Sequence, residues 1–193
     1  GGAALDGVNR RHAVLGASRH CIAVYPGDFA QALIAVDATV RILGPGGERS
    51  IAFEDLHRAP GETPHVETSL APGELITEFI LPVAPWTRRS AFVKVRDRAS
   101  YEFALASAAV ALDIAYGDVR KARIALGGVA TKPWRARAAE RSLLGRPMNE
   151  PAAVEAAEIA FADAEPRPGN TFKVELGRRT LVRALLQTTA IWS

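Results

Sequence analysis

The sequence predicts an α+β fold, and three observations carry that reading. Strand-like runs joined by tight polar turns fill the middle of the chain. After Pro133 the apolar residues switch to a helical period. The composition, 48% hydrophobic and 23% charged, suits a packed core beneath a charged surface. At 193 residues the chain can form one large domain or two small ones. It is long enough to bury a core without covalent staples.

Residues 1–20 open on "GGAALDG" and show no periodicity, so the chain reads as a fragment or one subunit of something larger. "PGDFAQALIAVDA" reads as a helix: Pro26 and Gly27 punctuate, Asp28 can cap, and Phe29, Ala32, Leu33 and Val36 share a face. "TVRIL" reads as a strand, and "GPGGERSIAF" turns through Pro/Gly into a second, making a hairpin. "FEDLHRAPGETPHVETSL" is a polar excursion with a helical turn at its start, and "GELITEFILP" is a strand that stops at Pro82. "VAPWTRRS" reads as a linker, dividing the chain into residues 1–83 and 84–193.

Three strand-like runs follow, near 90–98, 103–115 and 119–129, and the turn at Tyr116–Asp118 joins the last two antiparallel. The middle run is alanine-rich, but its place between two strands favours a strand. Three helices come next. "PWRARAAERSLLG" has Pro near its first turn and Gly145 past its end. "EPAAVEAAEIAFADA" has its acids early. "TFKVELGRRTLVRALLQTTAIW" carries an apolar stripe of Val174, Leu181, Val182, Leu185 and Leu186, weakened by Gly177. The expected architecture is therefore a small α/β piece followed by a three-stranded antiparallel sheet covered by helices.

Composition narrows the function classes. The single cysteine, Cys21, excludes an internal disulfide framework and a metal site built of cysteines alone. Net charge is +3 and the pI about 9.3, with basic residues dispersed in short pairs such as Arg88-Arg89 and Arg178-Arg179. A nucleic-acid protein would show a concentrated basic stripe with interleaved aromatics, so no nucleic-acid partner is expected. A basic face for a partner or an anionic cofactor is the better use of the surplus. No apolar run approaches the length that crosses a bilayer, and no signal peptide is expected from the first residues.

No HExxH, GxSxG or CxxC occurs, and "GPGGE" is an incomplete phosphate loop lying in a hairpin turn. His12, His20, His57 and His65 are scattered without metal-ligand spacing, and read as structural or surface residues. "YPGD" sets a carboxylate and free N–H groups at a helix start, where a phosphate or sugar hydroxyl can bind. The plainer reading is that Asp28 caps its own helix, and the residues alone favour the cap.

Four stretches together carry a resemblance: "GASRHCIAVYPGDFAQALIAVDA", "LAPGELITEFILP", "FVKVRDRASYEFALASAAVAL" and "ARIALGGVATKPWRARAAERSLLG". Over nearly its whole length the chain resembles the FAD-binding (medium) subunit of molybdenum hydroxylases, the xanthine dehydrogenase, aldehyde oxidoreductase and carbon monoxide dehydrogenase relatives. The resemblance implies the end of the second α/β FAD-binding subdomain followed by the C-terminal α+β domain. The first subdomain, with the glycine-rich loops that grip the pyrophosphate, has no counterpart here.

The resemblance also assigns residues. Asp28 matches an acid that contacts the adenosine side of FAD, and Ile76 a position whose backbone meets the isoalloxazine. Lys94 matches a lysine near the ring, where a cation stabilises anionic reduced flavin. Its alternative is an exposed edge-strand lysine that discourages aggregation. Tyr101 lies where relatives approach the flavin, and its alternative is a half-buried sheet tyrosine. Cys21 matches the last of four cysteines that bind a [4Fe–4S] cluster in some relatives. The preceding cysteine would fall near Gly2–Ala3 and is absent, so Cys21 reads as an orphaned ligand or a buried, unligated thiol.

The implied function is electron transfer, from iron–sulfur clusters through FAD to an acceptor. The implied partners are a molybdenum-cofactor large subunit and a [2Fe–2S] small subunit. The implied location is the cytoplasm, or the periplasm if the chain is exported with a partner. Two other readings stand beside this: a structural or interaction domain that no longer binds FAD, and an unrelated basic binding module.

Overall fold

The computed structural model describes residues 3–190. Its order is α1 (Phe29–Ala35), β1 (Thr39–Gly44), β2 (Gly47–Ala52), β3 (Leu75–Ile80), β4 (Ser90–Val95), β5 (Ala106–Ala115), β6 (Asp118–Gly127), β7 (Trp134–Arg135), α2 (Arg137–Leu143), α3 (Glu150–Ala160) and α4 (Phe172–Ala190). Short 3-10 turns occupy Ala3–Leu5, Phe53–Asp55 and Pro85–Arg88. The expectation that the last helix includes Ile191 and Trp192 lies outside the described residues. No described helix is long and apolar enough to cross a membrane.

Two antiparallel sheets result. One is ordered β2-β1-β3, and the other β4-β5-β6-β7. The alanine-rich run is a strand, as its setting required. Ser90 to Val95 pair with Ala111 to Ala106, and β5 pairs with β6 from Ser107↔Gly127 to Ala115↔Asp118. The positive φ values of Tyr116 and Gly117, 56° and 88°, make the turn between them. The expected three-stranded sheet has a fourth strand. Trp134 and Arg135 pair with Leu126 and Ala125 before α2 begins. A two-residue strand is too short to leave any alternation, which is why Pro133 read as a helix start.

Alternation along β5 splits the core in two. Ala106, Ala108, Val110 and Leu112 face α2, α3 and α4 in one apolar cluster. Ala109, with Ala125 of β6, faces α1 and the inner face of the other sheet, where Val40 and Ile42 pack on Ala30, Leu33 and Ile34. The layers are therefore three helices, the four-stranded sheet, α1, and the three-stranded sheet.

This sandwiching corrects the face expected for α1. Phe29 is exposed, whereas Ala30, Gln31, Leu33, Ile34 and Ala35 are buried. A helix gripped from two sides buries more than one stripe. In α4 the buried face runs through Lys173, Gly177, Thr180, Leu181, Ala184, Leu185 and Thr188. Val174, Val182 and Leu186 are only partly buried at its margin.

Ion pairs lock the α1 turn to the large sheet. Asp37, held at φ 55° just past α1, accepts from Arg123 at 2.7 Å and from Arg135 at 2.9 Å. Arg135 also bonds Glu140, and Glu140 accepts from the Ile124 N–H at 2.8 Å. Burial raises the Asp37 carboxyl's pKa, but the two guanidinium groups outweigh it and hold the pKa below the usual range.

Candidate functional site

Asp28 and Lys94, singled out separately in the sequence, meet in the structure. Lys94 Nζ donates to Asp28 Oδ2 at 2.5 Å. The pair forms because α1 lies on the β5–β6 face of the large sheet, with its start beside the edge strand β4. Asp28 occupies the cap position, yet its side chain makes no cap hydrogen bond. The cap reading is thereby corrected: the ammonium outcompetes the helix N–H groups, as a charge-assisted bond does. With seven residues, α1 is also too short for its terminus to serve as an anion site. Lys94 is equally not the exposed edge lysine of the alternative reading, since only 18% of its side chain is exposed. Asp28 Oδ1 is buried and has no partner among the described residues.

Around this pair stands exposed apolar surface. Phe29 adjoins Asp28 and meets Phe79 of β3 edge-on, ring centroids 5.4 Å apart. Phe79 in turn contacts Phe53 at 5.8 Å. Ile76, also on β3, pairs with Ile42 and packs half-buried against the α1 cluster, beside the largely exposed Leu75. Tyr101 is not a half-buried sheet tyrosine. It sits in the loop after β4 at φ 51°, 96% exposed, with its carbonyl accepting from Arg98. Phe103 on that loop is exposed too. The structure thus brings Asp28 and Lys94 into contact, whereas Ile76 lies on β3 and Tyr101 on the loop after β4.

Two residues passed over in the sequence belong to the same place. Gln31, one turn beyond Asp28, is fully buried, and neither atom of its amide has a hydrogen-bond partner among the described residues. Ser107, directly across from Lys94 on β5, is buried with its Oγ also unpartnered. The available signal was a single glutamine inside the otherwise apolar "FAQALIA", at the i+3 spacing from Asp28 that puts both on one helix face.

Cys21 is partly buried, and its Sγ accepts from the Ala23 N–H at 3.4 Å. It lines a cavity of about 200 Å³ with Tyr25, His57 and Lys132. Burial, then Lys132, lowers the His57 pKa and favours neutral imidazole. No group of three or more His, Cys, Asp or Glu side chains fit to hold a metal occurs among the described residues. A [4Fe–4S] cluster therefore finds no support here. "GPGGE" is a hairpin turn as expected, closing β1 on β2 at Gly44↔Gly47.

A fold with α1 wedged between two sheets, carrying a lysine–carboxylate pair beside exposed apolar surface, agrees with two matches along the chain. Residues 10–84 match the FAD binding domain in molybdopterin dehydrogenase, and residues 91–189 match the CO dehydrogenase flavoprotein C-terminal domain. The chain belongs to the FAD-binding subunits of the molybdenum hydroxylase family, and is an oxidoreductase-family subunit. It is 44% identical over 191 residues to the aldehyde oxidoreductase FAD-binding subunit PaoB of Escherichia coli, covering 98% of this chain and 57% of that one. The carbon monoxide dehydrogenase medium chain of Afipia carboxidovorans is 29% identical over 167 residues, covering 86% and 55%. Among solved structures, quinoline 2-oxidoreductase from Pseudomonas putida 86 superposes with a TM-score of 0.74 at 26% identity, covering 95% of this chain and 60% of that one. The chain thus spans a little over half the length of the curated relatives it matches.

Proposed function

We propose that this chain forms one wall of an FAD site in a molybdenum-containing oxidoreductase of the xanthine or aldehyde type, and that the flavin there relays electrons from iron–sulfur clusters to an acceptor. The observation that carries this is the Asp28–Lys94 pair beside exposed Phe29 and Phe79. These residues fit the group. Bare apolar surface suits the faces of a flavin, the buried and unpartnered Asp28 Oδ1 can accept from a hydroxyl, and Lys94 places a cation near the ring. FAD supplies the capacity to accept and pass on electrons, and the protein supplies binding and electrostatics. In this reading Asp28, in contact with Lys94, holds a hydroxyl on the flavin side of the cofactor instead of the adenosine side that the resemblance implied. Lys94 favours its anionic reduced state, Ile76 presents backbone to the ring, and Tyr101 stands at its rim. The similarity to PaoB supports the aldehyde class, and the two separate family matches support a division near residue 83. A molybdenum-cofactor large subunit and a [2Fe–2S] small subunit are the proposed partners.

The pyrophosphate grip is the part this sequence does not supply, so the chain by itself should hold FAD poorly. Losing two charge-assisted hydrogen bonds costs roughly 3–6 kcal/mol, about two to four orders of magnitude in affinity. The test is to purify the complete subunit with its partners, record the flavin absorbance, and follow its bleaching when an aldehyde is added anaerobically. Loss of flavin absorbance on substrate supports the relay. A colourless complex would favour the reading of a structural domain without FAD. Titrating the 193-residue chain with FAD, followed by flavin fluorescence, should show binding far weaker than in the complex.

A further inference from the structure

A cluster of polar side chains lies between α1 and the large sheet. Lys94, Ser107 and Gly127 stand in one row across β4, β5 and β6. Directly opposed strand residues present their side chains to the same face. Gly127 leaves that row open, and the Gln31 amide fills the gap. A Cβ on Gly127 would stand 2.4 Å from Gln31 Nε2 and 2.5 Å from Ser107 Oγ. Gln31 returns along the helix to Asp28, and Asp28 returns to Lys94.

The cluster is incompletely bonded. Gln31 Oε1 and Nε2, Ser107 Oγ and Asp28 Oδ1 are all buried and unpartnered, and Lys94 has Asp28 as its acceptor. Buried polar atoms without partners destabilise a fold, and where they cluster they mark a site that is completed by something else. Alanine or leucine would fill these positions in a core otherwise built of Ala30, Leu33, Ala109 and Ala125.

We propose that Gln31 and Ser107 are positioning residues that receive the Lys94 ammonium when a ligand hydroxyl binds Asp28. Lys94 cannot lend its full charge to a flavin while Asp28 neutralises it at 2.5 Å. A hydroxyl that donates to the unpartnered Asp28 Oδ1 draws charge from the carboxylate and weakens the hold of Oδ2 on the ammonium. The loosened ammonium, largely buried, then needs further oxygen acceptors. Ser107 Oγ, in the same strand row, and Gln31 Oε1, on the helix above it, are unpartnered oxygens, and a lysine has three protons to offer them. The two residues thereby keep the cation beside the flavin instead of returning it to Asp28. This inference rests on the FAD reading above.

The test uses the flavin-loaded complex with Ser107→Ala, Gln31→Met and the double variant. Spectroelectrochemical titration reads the flavin midpoint potential, and thermal unfolding of the flavin-free protein reads stability. The double variant should lose about tenfold of its preference for reduced over oxidised flavin, a fall of about 30 mV for two electrons. Its flavin-free melting temperature should not fall, since two unsatisfied groups are removed. Ser107→Ala, which deletes one oxygen and guards against misfolding, should shift the potential the same way. In a Lys94→Met background neither change should move the potential further. Full flavin occupancy with an unchanged potential in Ser107→Ala and the double variant would overturn the inference and leave the FAD reading intact. A wild-type complex without flavin would overturn both.

Discussion

Lys94 and Asp28, 66 positions apart in the chain, form a 2.5 Å ion pair that ties the edge strand of one sheet to the start of the helix wedged beneath it. The two charges should tune a bound flavin in opposite directions. In the complete complex, Lys94→Met removes the cation and should lower the flavin midpoint potential by the equivalent of about 1–2 kcal/mol. Asp28→Asn leaves the cation uncompensated and should raise the potential, while weakening FAD retention. Rapid reduction at the molybdenum centre should be unchanged in both. Because the Asp28 side chain is 39% exposed, losing its partner should cost under about 1 kcal/mol of stability. Shifts of the same sign in the two variants would dissociate the pair from the flavin.

Lys173 predicts an unusual alkaline trend. Its ammonium is fully buried in α4 and donates to the carbonyls of Arg11 and His12, both at 2.9 Å. Burial, then Arg10 and Arg11, lowers its pKa from 10.5 to about 8. Below about pH 8 the lysine is charged in both folded and unfolded chains, and the folded state bears the full penalty. Between about 8 and 10.5 the unfolded chain holds more protons, so this group's contribution to stability rises with pH, by an amount on the order of 3 kcal/mol. Lys173→Met should flatten that segment of the pH–stability curve in urea titrations. A rise that persists unchanged in the variant would remove Lys173 as its source.

Arg135 should be the most costly single charge to remove. Its side chain is 5% exposed and serves Asp37, Glu140 and the Ile34 carbonyl at once. Arg135→Met strands Glu140, itself 7% exposed, and should destabilise the protein by about 3–5 kcal/mol in urea unfolding at neutral pH. The cost should shrink below about pH 4. The lowered Asp37 pKa contributes stability above the unfolded value of 3.8 and loses it as pH falls through the folded one.

Gly177 offers a test with an unambiguous sign. Helix propensity alone predicts that Gly177→Ala stabilises α4 by about 1 kcal/mol. The structure predicts the reverse, because the new Cβ would stand 2.2 Å from Phe161 Cζ. Phe161 is itself buried and cannot swing away freely, so overpacking should cost about 1–3 kcal/mol. A raised melting temperature would contradict the packing seen here.

The sequence by itself determined the order and kind of the elements. Their signals are local: alternation in "SAFVKV", the Tyr116–Gly117 turn, the helical period after Pro133, and the stop at Pro82. It also marked Asp28 and Lys94, though through resemblance to a family, since one acid and one lysine carry no spacing signal. Only the tertiary structure decided that the two meet, that α1 is gripped from both sides so that Phe29 turns outward, and that Trp134–Arg135 adds a strand. It alone showed that the weakness at Gly177 is the space Phe161 requires, and that Gln31 and Ser107 meet as buried, unpartnered polar groups over Gly127, in the strand row of Lys94. The physical reason is the range of the forces involved. Periodicity and turn chemistry act within a few residues, whereas burial, charge pairing and close packing depend on which distant segments the sheets bring face to face.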